Sequence, residues 1–128
     1  MAKKNRNEVV AVQATEPTLY ESIQAFVTVD ELVNDSLLHL GGYEAFSEIA
    51  ERHRLSSTAQ QELISTLSWW QGQYDNAPTQ SEKDIIWLRM SLNLMLGCRG
   101  AEDNTLTEQE FHTVIGYVPT AARFQLTP

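Results

Sequence analysis

The stretch TQSEKDIIWLRMSLNLML (Thr79–Leu96) decides the fold class. It opens on a capping box. The Thr79 hydroxyl can accept from a free backbone N–H three residues on, and the Glu82 carboxylate can reach back to the N–H of the cap. Behind the box, nine of the twelve residues from Ile85 to Leu96 are apolar, with no sustained alternation of period two. The pattern predicts a helix ending near Gly97. A helix apolar nearly all round is expected to be buried on most sides. This segment is therefore the expected centre of the fold, with Leu88 and Leu92 in the core.

Five further segments surround it. Thr18…Glu21 opens one to about Val27, and Thr28…Glu31 opens one to Leu40, stopped by Gly41-Gly42. The next runs from about Tyr43 to Arg54. Ser57…Gln60 opens one to about Tyr74, ended by Asn76-Ala77-Pro78, and Thr105…Glu108 opens the last, ended near Gly116. These are one-faced, as in the stripes Leu19, Ile23 and Phe26 of the first, Phe46, Ile49 and Ala50 of the third, and Leu63, Leu67, Trp70 and Tyr74 of the fourth. One-faced helices around one apolar helix predict an all-α fold, a compact orthogonal bundle of five or six short helices. A chain of 128 residues and 14.5 kDa is expected to form one domain. We assign residues 16–128 to it and residues 1–15 to a flexible basic N-terminal arm.

Charge is unevenly placed. Lys3, Lys4 and Arg6 fall in the arm, whereas residues 7–128 hold 6 bases against 17 acids. The single cysteine, Cys98, cannot form an internal disulfide, which fits a reducing compartment. No signal-peptide pattern and no membrane-spanning run is present, so a cytoplasmic protein with no membrane association is expected.

No motif selects an enzyme. His39, His53 and His112 sit on different segments, and no paired His or Cys spacing exists, so neither a metal nor a cofactor is expected. His53 falls on the Phe46/Ile49/Ala50 face as a core-edge histidine. Cys98, at the expected end of a helix, faces the wrong end of the dipole for a reactive thiolate. The segment TLTEQEF (Thr105–Phe111) is similar to the end of an EF-hand loop, but Arg99 and Ala101 stand where oxygen ligands are required.

Two function classes remain. The first is a non-enzymatic protein-binding regulator, adaptor or inhibitor that occupies a surface of a larger partner, such as a nucleic-acid-handling protein. An acidic body suits a basic partner surface. Its candidate contact residues are Trp69, which points away from the Leu63/Leu67/Trp70 stripe, Glu62 and Gln73 on the same side, and Arg89. Arg89 is the one charge inside the apolar run and is expected to find a carboxylate on another helix. The second class is a helix-turn-helix DNA-binding regulator built on FSEIAERHRLSSTAQQELI (Phe46–Ile64). Its candidate contacts are Lys3, Lys4, Arg6, Arg52 and Arg54. The absence of Lys and Arg from Thr58–Leu67 and the acidic body count against it.

Overall fold

The computed structural model describes residues 16–38 and 41–118. Expectations concerning the arm, Lys3, Lys4, Arg6 and His39 lie outside these residues. Six helices follow one another: α1 (Leu19–Ala25), α2 (Val29–Leu38), α3 (Tyr43–Arg52), α4 (Ser57–Asn76), α5 (Gln80–Glu102) and α6 (Glu108–Ile115). No strand occurs among the described residues. The fold is all-α, a compact helical bundle.

Local chemistry accounts for where the helices begin. Thr18 Oγ1 accepts from the Glu21 N–H at 3.2 Å, and the Glu21 carboxylate accepts from the Thr18 N–H at 3.0 Å. Thr79 caps α5 through its hydroxyl, accepting from Glu82 N–H at 3.1 Å. Two caps fall beside the expected residue. Ser56, not Ser57, caps α4, accepting from Ala59 N–H at 3.1 Å. The turn before it places Arg54 in the left-handed region at φ 59° and leaves Ser56 extended. For α6 the box is Thr107…Glu110, not Thr105…Glu108. Thr105 is consumed by the end of α5, where the N–H groups of Thr105 and Leu106 both donate to the Gly100 carbonyl. Gly42, at φ 95°, is the N-cap of α3 and has no side-chain capping bond.

Helix α5 is the hub, packed against α1, α2, α4 and α6, but its burial is one-sided. Met90, Leu94, Gly97, Cys98 and Ala101 form its buried stripe. The expectation that Leu88 and Leu92 lie in the core is wrong: each is 55% exposed. Leu92 stands about 200° around the axis from both Met90 and Leu94, so one helix face cannot hold all three. No residue from Gln80 to Arg89 is buried. The core itself runs through Leu19, Leu32, Phe46, Ile49, Leu67, Met90, Phe111 and Ile115, all essentially inaccessible.

The helix also continues past Gly97 to Glu102. Gly97 and Gly100 are close-approach positions rather than stops. A Cβ at Gly97 would lie 2.5 Å from Ile115 Cγ2, and one at Gly100 would collide with Leu106. Two absent side chains let α6 and its leading loop settle directly on α5.

Candidate functional site

The face of α5 turned away from the core carries Ile85, Leu88, Leu92 and Leu96, between 51% and 62% exposed. Their spacing of three, four and four residues sets them in one line along the helix. Arg89 stands beside this line, exposed, with no ion pair among the described residues. It reaches solvent instead of the internal carboxylate expected for it. Three bases (Lys83, Arg89, Arg99) and three acids (Glu82, Asp84, Glu102) make α5 electrically balanced on an otherwise acidic body.

The other proposed contact residues separate. Trp70 is buried and donates its indole N–H to the Ile115 carbonyl at 2.9 Å. Trp69 is 48% exposed, its ring set edge-on to Trp70 at 4.7 Å, and it lies close to Gly116 at the end of α6. Gln73 is exposed one turn further along α4. Glu62 is not on this surface. It stands seven residues before Trp69, nearly in line with it on α4, yet it is buried. The difference is cover: α1 lies over the helix at Glu62, where the Leu19 N–H donates to Glu62 Oε1 at 2.9 Å.

Beneath α1, Glu62 meets two residues of α6. One ligand atom each of Glu62, Glu108 and His112 lies within 4.8 Å of the others. His112 Nε2 is 3.9 Å from Glu62 Oε2, beyond hydrogen-bonding distance, and this buried nitrogen has no hydrogen-bond partner among the described residues. Burial pushes the Glu62 carboxyl above the ordinary range, opposed by the Leu19 N–H and reinforced by the charges of Glu108 and Glu21. Burial likewise holds His112 below the usual imidazole value, against the charge of Glu108. The group contains one histidine and no cysteine. Glu108 and His112, four apart on one helix face, are the two legible members of this group of three; Glu62 arrives only through tertiary packing.

His53 takes the expected role. Its Nε2 donates to Asp35 Oδ2 at 2.7 Å, and Arg52 reaches the same oxygen at 3.1 Å. Cys98 is buried, its thiol pushed up to about 12 by burial and by the charge of Glu102.

The segment Phe46–Ile64 does form helix, turn and helix, with Leu55 buried in the turn. The first turn of α4, the end that would enter a groove, carries the Glu16 carboxylate, which accepts from both Thr58 N–H and Thr58 Oγ1 at 2.8 Å. Arg52 pairs with Asp35 while remaining half exposed, and Arg54 is exposed in the turn itself. No helix among the described residues is long and apolar enough to cross a membrane. No family model matches the chain, and no curated protein and no solved structure is detectably similar to it.

Proposed function

We propose that the chain is a non-enzymatic protein-interaction module, a small regulator, adaptor or inhibitor that binds a larger partner along the outer face of α5. The observation that carries this reading is the exposed line Ile85, Leu88, Leu92 and Leu96. Contiguous exposed apolar patches on small proteins are commonly interaction sites. The occupant we infer is an amphipathic helix of a partner protein, its apolar seam laid along this line as in helix-in-groove recognition. The acidic surroundings favour a partner segment with net positive charge on its flanks. Arg89 would lie at the rim, and Trp69 and Gln73 belong to a separate, smaller surface on α4.

Site-specific photo-crosslinking in cells tests this. A photoreactive residue at position 92 should capture a partner at a basic amphipathic segment, and capture should disappear in the Leu88→Glu variant. The same probe at Glu48, exposed on α3, should capture nothing. Cross-links only between copies of this chain, or equal capture from both positions, would overturn the reading.

A further inference from the structure

We propose that Glu62, Glu108 and His112 form a binding site for a divalent transition cation, with zinc as the best match. Three observations carry this. The ligand atoms converge from two helices to within 4.8 Å of one another. Glu62 and His112 are withdrawn from water, with side chains 9% and 15% exposed. The Nε2 atom of His112 is fully buried without a hydrogen-bond partner among the described residues.

A buried carboxylate is costly unless a hydrogen bond, an opposite charge or a metal compensates it. One oxygen of Glu62 is compensated by the Leu19 N–H, and this bond also orients the carboxylate so that its other oxygen faces His112. The neighbouring charges that act on Glu62 are those of Glu108 and Glu21, both negative. A cation is what the arrangement lacks. Two donors about 2.0–2.1 Å from a tetrahedral centre stand roughly 3.3 Å apart. The 3.9 Å between His112 Nε2 and Glu62 Oε2 closes to that with a small rotation of either side chain.

The donor set narrows the choice of ion. One imidazole with two carboxylates suits zinc and its transition-metal neighbours; magnesium and calcium favour oxygen alone. Three protein donors leave a fourth position for water. The Leu19 N–H serves as the outer hydrogen bond that fixes a ligand's orientation. A bound ion would join α4 to α6 directly beneath the start of α1, independently of the α5 docking face.

The test uses the full chain, stripped with a chelator, titrated calorimetrically with zinc, manganese and magnesium, and melted with and without each ion. The expected result is one zinc equivalent bound, a rise in melting temperature, and no response to magnesium. Glu62→Gln retains the acceptor for Leu19 N–H and Glu108→Gln changes a partly exposed residue, so both should fold. Each should bind zinc at least about ten-fold more weakly, the loss typical of disturbing a metal site. Cobalt substituted for zinc should give tetrahedral absorption bands that vanish in Glu62→Gln. A flat zinc titration, or zinc binding unchanged in both variants, would overturn the proposal.

Discussion

Trp70 and Ile115 are joined by a hydrogen bond from the indole N–H to the main-chain carbonyl, 2.9 Å long and buried. The bond fastens the middle of α4 to the last turn of α6, 45 residues away in the chain. Trp70→Ala should therefore remove both a large core side chain and the partner of a buried carbonyl. The first costs about 3–5 kcal/mol, and the second adds on the order of 1–3 kcal/mol. Trp69→Ala, at a half-exposed ring, should cost about 1 kcal/mol. Urea denaturation of the two variants measures the difference.

Helix α5 should respond to truncation by face and not by composition. Leu94→Ala is expected to lose about 2–5 kcal/mol through lost burial and a residual cavity. Leu88→Ala and Leu92→Ala should stay within about 1 kcal/mol of the parent, as over half of each side chain is already in water. Equal losses at positions 92 and 94 would show that the exposed face is packed in solution.

At Gly97 the helix propensity argument and the packing argument oppose each other. Alanine gains up to about 1 kcal/mol over glycine in an exposed helix interior. Here its methyl group would press against Ile115. Overpacking of this kind costs about 1–3 kcal/mol, so Gly97→Ala should be destabilising, with a lowered melting temperature.

Acid stability should depend on Asp35. Burial pushes its carboxyl up, but the His53 N–H and the Arg52 guanidinium outweigh this and leave it below the ordinary carboxylate value. A depressed folded-state value means a stabilising contribution present above the unfolded value, about 3.9, and lost as pH falls through the folded value. Asp35→Asn should therefore lower stability at neutral pH and flatten the decline of stability below about pH 4. Denaturant midpoints measured from pH 7 to pH 2 check both effects.

The helices were legible because their signals are local. A hydroxyl at the cap and an acid three residues on act within one turn, and the misplacement of the Ser56 and Thr107 caps by a residue or two reflects competition from adjacent turns. Which face of α5 is buried was not legible, because apolar residues surround the helix and only its neighbours decide. The same applies to Glu62 and Trp69, which share a line on α4 and differ only in what lies over them. Two of the three residues in the Glu62–Glu108–His112 group are written at spacing four on α6; the third depends on how α4 lies beside α6 under the cover of α1.

Cys98 offers a use that follows from its position. It is the chain's single thiol, buried on the inner stripe of α5 among residues that hold four helices together. With its thiol pushed up to about 12, almost no thiolate exists at neutral pH. A thiol reagent can react only after α5 has separated from its neighbours. The labelling rate of Cys98 is thus a built-in clock for opening of the bundle, readable in the native chain without any added probe.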